Sequence, residues 1–203
     1  MKRNIALFLL LVTTVCGTAQ DFVAPESRDK EIQLFVDLYA NRRSDLTNQM
    51  LQRSYLYFPL IEKTLQQYQM PDELKYLAMV ESTLNPTAKS RNGRMGLWQL
   101  SPSVAKHYGL NFTNEVNDCF DPQKATEAAC LYLLNLYEHF DDWLLAIAAY
   151  NSSVPIVKLA IEQAGNTTDY WAIHDYLPLE TRGYVPALLA LKTIMTAPEA
   201  LNH

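Results

Sequence analysis

The amino-acid sequence predicts an all-α protein, on three observations. From Glu31 onward, apolar residues recur three and four apart, the period that gathers them on one face of a helix. Hardly any stretch alternates apolar and polar residues in the two-residue period of a half-buried strand. Glycine is scarce, six residues in 203, and no long valine- or threonine-rich run appears.

The elements follow in chain order. Residues 20–30 are polar and read as a flexible lead-in. Ile32, Leu34, Phe35, Leu38 and Tyr39 then mark a first amphipathic helix. A second is expected over about residues 47–58, and a third over 59–68. Pro71, Asp72 and Glu73 make a helix start, because proline suits the first turn and acidic side chains suit its positive end. That helix must stop near Asn85, since Pro86 disfavours helical backbone in the residue before it. Ser101 and Pro102 open a short helix through Tyr108, stopped by Gly109, and Asp121 and Pro122 open a longer one to about Phe140. Asp142 precedes WLLAIAAYN, which is apolar on all sides and therefore belongs at the centre of the core. A last helix is expected over residues 180–195, ended by Pro198. No repeat, low-complexity tract or linker appears, so residues 31–203 read as one domain, with no room for a second module after the last helix.

The first residues carry a different signal. Lys2 and Arg3 precede an unbroken apolar run from Ile5 to Val12, and Gly17-Thr18-Ala19 fits a signal-peptidase site. The run is too short to cross a membrane, so residues 1–19 are expected to be a cleaved signal, placing the protein in the periplasm or outside the cell. Lipidation at Cys16 is the weaker alternative, because Val15 and Thr13 stand where a small residue and a leucine are usual. Cys119 and Cys130 remain. Cys130 sits well inside a helix, so two buried or half-buried thiols is the preferred reading, with pairing left open. The formal charge of −5 becomes still more negative once Lys2 and Arg3 leave. Such a chain is a poor partner for nucleic acid and must hold any anionic polymer by local contacts.

Glu81 is the most informative residue. Leu74, Leu77, Ala78 and Glu81 share one helix face, which places a carboxylate on the stripe that should be buried. A buried carboxylate without a partner shifts its pKa upward and holds its proton, the state a general acid needs near neutral pH. Periodicity alone still favours a plainer reading, a glutamate at a helix end that is salt-bridged or reaches solvent.

The text around Glu81 changes the balance. Residues 81–100, ESTLNPTAKSRNGRMGLWQL, resemble the first two motifs of lytic transglycosylases with the goose-type lysozyme (SLT) fold: Glu-Ser, Asn-Pro, a serine ahead of a glycine turn, then Gly-Leu-x-Gln. AYN at 149–151 matches the third motif of that family and ETRGYVP at 180–186 the fourth. Residues 52–82 are similar to the approach helices of the membrane-bound lytic murein transglycosylase D group, so the resemblance spans about residues 32–196.

It implies an all-α, lysozyme-like single catalytic domain that needs no cofactor and no metal. Glu81 would protonate the glycosidic oxygen between N-acetylmuramic acid and N-acetylglucosamine. As carboxylate, it would then take a proton from the muramic C6 hydroxyl, closing a 1,6-anhydro ring. Ser82 would help position the substrate, Gln99 and Asn151 would supply amides to the sugars, and Tyr184 would tune the proton of Glu81. Tyr150 and Trp98 offer rings with polar tips suited to a glycan cleft. Each has a plainer rival: Ser82 as a helix-end hydroxyl, Trp98 and Tyr150 as packing. Glu180 and Arg182 read as surface pairs or as supports for the last helix.

Two residues depart from the pattern. Ser153 stands where the third motif usually has glycine, which would strain the loop if a glycine conformation were required. Arg94 replaces a small residue and could reach a substrate carboxylate, although solvent is the favoured direction.

Other chemistries fit poorly. His107, His139, His174 and His203 show no ligand spacing, and no GxSxG elbow, phosphate loop or acidic calcium loop is present. The aspartates are scattered, with none in a motif that would add the second carboxylate of an ordinary glycosidase. A hydrolytic muramidase on the same fold and a catalytically silent peptidoglycan-binding protein are the alternatives. Peptidoglycan strands are the expected partner, an envelope protein could supply targeting, and nothing in the sequence sets an oligomeric state.

Overall fold

The computed structural model describes residues 22–113 and 116–197. The signal expected over residues 1–19, with Cys16, lies outside them. Within the described residues the secondary structure is helical, apart from three isolated β-bridges. No described helix is long and apolar enough to cross a membrane.

The lead-in is not loose. Phe22 is buried and Arg28 ion-pairs with Asp175 at 3.2 Å while donating to the Trp171 carbonyl at 3.2 Å. The reason is long-range: the Arg28 guanidinium finds its partners 143 and 147 residues away, which local polarity cannot reveal. Helix α1, Asp29–Asp37, follows.

Helix α2 spans Ser44–Gln67 without interruption, where two helices divided at Pro59 were expected. Proline removes one backbone hydrogen bond, to the carbonyl of Tyr55. Tyr55 and Leu56 are exposed, so the freed carbonyl can meet water. Meanwhile Thr47, Met50, Ser54, Ile61, Thr64 and Leu65 form one buried stripe across the proline, and tertiary packing carries the helix through.

Pro71 remains extended and a 3-10 turn, Asp72–Leu74, leads into α3, Lys75–Ser82. This helix stops three residues before Asn85, because Thr83 and Leu84 both turn left-handed at φ 56°. Helices α4, Pro102–His107, and α5, Pro122–Phe140, start where Ser101 and Asp121 accept hydrogen bonds from Val104 and Lys124 N–H. In α6, Trp143–Asn151, every residue from Trp143 to Tyr150 is buried, as its unbroken apolarity predicts. Two helices were not foreseen: α7, Val154–Gln163, and α8, Tyr170–Ile173. The expected last helix divides into α9, Leu179–Arg182, and α10, Tyr184–Thr196. At the break, a Cβ on Gly183 would sit 3.2 Å from the Phe35 ring.

Helix α10 packs on α1, α3 and α6, while α5 packs on α2 and α6. One buried cluster runs through these helices and includes both thiols, Cys119 and Cys130, which are free. The C-terminal end of α3, the 85–101 loop, the end of α6 and the start of α10 converge beside it.

Candidate active site

Leu74, Leu77 and Ala78 are wholly buried, and Glu81 follows on the same face at the last turn of α3. Glu81 is half-buried, but its Oε1 is closed to solvent and has no hydrogen-bond partner among the described residues. Burial therefore pushes the carboxyl up to about 7, against the opposing charge of Arg94 and the hydrogen bond from the Tyr184 hydroxyl. At neutral pH a large fraction carries the proton a general acid must donate.

The turn after α3 holds this helix end in place. Two successive left-handed residues other than glycine cost about 1 kcal/mol each. Arg53 of α2 offsets part of that cost by donating to the Thr83 carbonyl at 3.0 Å and to its hydroxyl at 3.1 Å. Ser82 turns inward: its Oγ donates to the Leu97 carbonyl at 2.7 Å and accepts from Asn85 N–H at 3.2 Å. It ties α3 to the loop instead of facing a ligand, which corrects its expected substrate contact.

The loop is a tight structure of its own. A Cβ on Gly96 would lie 1.9 Å from the Cys119 carbonyl oxygen, so only glycine fits. Met95 and Leu100 exchange two backbone hydrogen bonds of 3.0 Å. Gln99 adopts φ 46° and its Nε2 donates to the Gly96 and Ala88 carbonyls at 3.0 and 3.3 Å. Its amide nitrogen thus closes the loop, although Gln99 still lines a recess with Arg94, Tyr132 and Tyr150. That recess, at about 30 Å³, has room for little more than water. Trp98 is entirely core, 0% exposed, with Nε1 donating to Thr126 Oγ1 at 3.0 Å, so it offers no face to a glycan.

The opposite wall comes from α6, α9 and α10. Thr181 Oγ1 donates to Asn151 Oδ1 at 2.9 Å, which leaves the Asn151 amide nitrogen for the far side. There the Asn151 side chain hydrogen-bonds Tyr184. Burial and the adjacent Glu81 push the Tyr184 hydroxyl up to about 12, so it stays protonated and able to donate. Tyr150 is buried, feels the Glu81 charge, and donates to the Trp98 carbonyl at 2.7 Å. Tyr132 of α5 stacks obliquely on Tyr150, ring centres 5.2 Å apart.

Of the expected site residues, Glu81, Asn151, Tyr150 and Tyr184 come together, Gln99 stands at the edge, and Ser82 and Trp98 face inward. Ser153 carries no strain: its φ of −175° is ordinary extended backbone, and it begins α7. Arg94 corrects the solvent expectation, because its Nη2 donates to the Asn151 carbonyl at 3.3 Å across the cleft. Tyr132, Thr181 and Arg53 were missed; their only signals were a tyrosine on a helix face, a threonine in a motif and an arginine on a helix.

Comparison with known proteins bears directly on this arrangement. A family model described as the transglycosylase SLT domain matches residues 58–173. The chain is 39% identical over 145 residues to the membrane-bound lytic murein transglycosylase D of Escherichia coli, covering 70% of this chain and 31% of that protein. It is 31% identical over 120 residues to the soluble lytic murein transglycosylase of the same organism, covering 56% and 19%. The chain thus spans about a third or less of the length of these relatives. Among solved structures, the 70 kDa soluble lytic transglycosylase of Escherichia coli superposes with a TM-score of 0.64 at 24% identity, over 85% of this chain and 29% of that one. At that identity the likeness establishes the lysozyme-like fold.

Proposed function

The chain belongs to the transglycosylase SLT domain family, and from that premise we propose that it cleaves the β-1,4 bond between N-acetylmuramic acid and N-acetylglucosamine in peptidoglycan. Glu81, protonated, delivers its proton to the glycosidic oxygen as the bond to muramic C1 breaks. The resulting carboxylate takes the proton of the muramic C6 hydroxyl as that oxygen bonds to C1, closing a 1,6-anhydro ring. No water is consumed, and the acid is regenerated.

The observation that carries this reading is the Glu81 carboxyl, with one buried unpartnered oxygen and its proton affinity raised to about 7. Its electrostatic neighbours are Arg94 and Tyr184, neither of them a carboxylate. In this reading one group serves in both steps, and a value near 7 suits both donation and return. Tyr184 stabilises the charged form between steps, and Asn151 holds Tyr184. Residues 1–19 fit export to the compartment where this polymer lies; the N-terminal sequence of the mature protein checks it.

The test is mass spectrometry of muropeptides released from purified sacculi. Products ending in 1,6-anhydromuramic acid, each one water lighter than the hydrolytic product, are expected. Reducing ends would make the protein a muramidase, and no release from folded protein would make it a binding protein.

A further inference from the structure

Arg94 brings a half-buried cation into the cleft. Its backbone is fixed: Ser90 N–H donates to the Arg94 carbonyl at 3.0 Å, Arg94 N–H donates to Ser90 Oγ at 2.9 Å, and Gly93 turns the chain at φ 77°. From this closed turn the side chain crosses to α6. There Arg94 lines the same recess as Tyr132 and Tyr150, and its charge acts on Glu81 and Tyr184 as well. A guanidinium has five N–H donors, and among the described residues this one meets one acceptor, the Asn151 carbonyl. Among the described residues no carboxylate lies within 4.0 Å of the guanidinium. In the acid step Glu81 is neutral, so no carboxylate among the described residues within 4.0 Å balances the guanidinium at that moment.

We infer that Arg94 forms a carboxylate subsite beside Glu81, which takes a carboxylate from the lactyl–peptide arm of the muramyl unit. This rests on the proposed cleavage of peptidoglycan. With a formal charge of −5 the chain cannot attract an anionic strand from a distance, so a single fork-shaped cation in the cleft makes the recognition local. On a glycan stripped of its peptides, the lactyl group ends in a free carboxylate. On an intact strand that carboxyl is an amide, and the nearest carboxylates belong to the stem. Both sources offer the same planar group.

The experiment uses the full chain carrying Glu81→Gln, which leaves oligosaccharides uncut and removes the Glu81 charge from the comparison. Calorimetric titration measures binding of three tetrasaccharides: neutral chitotetraose, a peptide-free GlcNAc–MurNAc dimer of disaccharides, and the same glycan bearing alanyl-glutamyl stems. Adding Arg94→Ala is expected to weaken binding of a carboxylate-bearing ligand about tenfold and to leave chitotetraose unchanged. Arg94→Lys should recover part of the loss, since it restores the charge without the fork. Loss confined to the peptide-free ligand identifies the lactyl carboxylate, and loss confined to the stem-bearing ligand identifies the peptide. Equal loss on chitotetraose, or no loss on either carboxylate ligand, overturns the subsite alone. If the Glu81→Gln chain binds none of the three, the glycan-cleaving reading itself falls.

Discussion

Two clusters of charge in this molecule are wired in opposite ways. In the first, Arg28, Glu31, His174 and Asp175 join the N-terminal segment to the region after α8. His174 contacts Asp175 at 2.9 Å, Glu31 at 3.1 Å and the Arg182 carbonyl at 3.2 Å, and Arg28 bonds both carboxylates. Arg28 first, then His174, holds the Asp175 carboxyl down to about 2. In the second, Glu81 has one oxygen without a partner and a carboxyl raised to about 7. The first cluster closes its electrostatics within the protein, so it serves cohesion. The second leaves them open, and the open valence is what a substrate can use. The signs follow from linkage. Asp175 stabilises the fold above the ordinary carboxylate range, a contribution lost as pH falls through about 2 and trimmed by the exposure of its side chain. Glu81 is tolerated best below that range, and its favourable share disappears as pH rises through about 7.

The strongest break in this comparison is Glu81→Gln. Cleavage of sacculi should fall at least about a thousandfold. Thermal unfolding should show the variant more stable than the parent at pH 8, by roughly 1–2 kcal/mol, with little difference at pH 4. A variant that stays active, or one that is less stable at pH 8, would contradict the open-valence account.

His174→Ala should do the reverse. Removing the imidazole leaves the Arg182 carbonyl without its partner and takes one contact each from Glu31 and Asp175, and should cost about 2 kcal/mol in denaturant unfolding. The acid end of the stability profile should also move to higher pH, because Asp175 loses one of the two groups that hold its carboxyl down. Tyr184→Phe comes next. It withdraws the hydrogen bond that favours the ionised Glu81, so the group should titrate still higher, with cleavage falling about tenfold. In the parent, cleavage should decline as pH rises through about 7, and in Tyr184→Phe that decline should begin at higher pH; initial rates from pH 5 to 9 check both. The smallest effect is expected from Thr181→Val, which frees the Asn151 amide to turn. A loss of about threefold, restored by Thr181→Ser at unchanged melting temperature, would mark Thr181 as a positioning residue.

The two clusters also differ in how far the sequence disclosed them. Glu81 could be placed because a helical stripe of Leu74, Leu77 and Ala78 leads to it, and periodicity is local information. The bounds of α5 and α6 were equally legible, from Asp121-Pro122 and Asp142. The clamp around His174 was not, since Arg28 and Asp175 lie 147 residues apart and only the fold brings them together. The passage of α2 through Pro59 was hidden for a related reason: the proline is visible in the text, but the packing that overrides it is not. Thr83 and Leu84 give no local sign of left-handed backbone, so the helix end could be placed only by Pro86. Trp98 and Ser82 were near the right place, but which way each side chain turns depends on partners in α5 and the loop. Arg94 was misjudged on the same ground, because the carbonyl that draws it across belongs to another helix.

The contact of Gly96 with the Cys119 carbonyl bears on how such a protein can change over generations. Position 96 is shut, for any side chain would collide with backbone that cannot move aside. Position 94, two residues earlier, is held through its backbone while its side chain projects over the cleft. Loop geometry and loop selectivity are thus written at separate addresses. A lineage, or an engineer, can redraw what the cleft prefers at one without disturbing how the loop is made at the other.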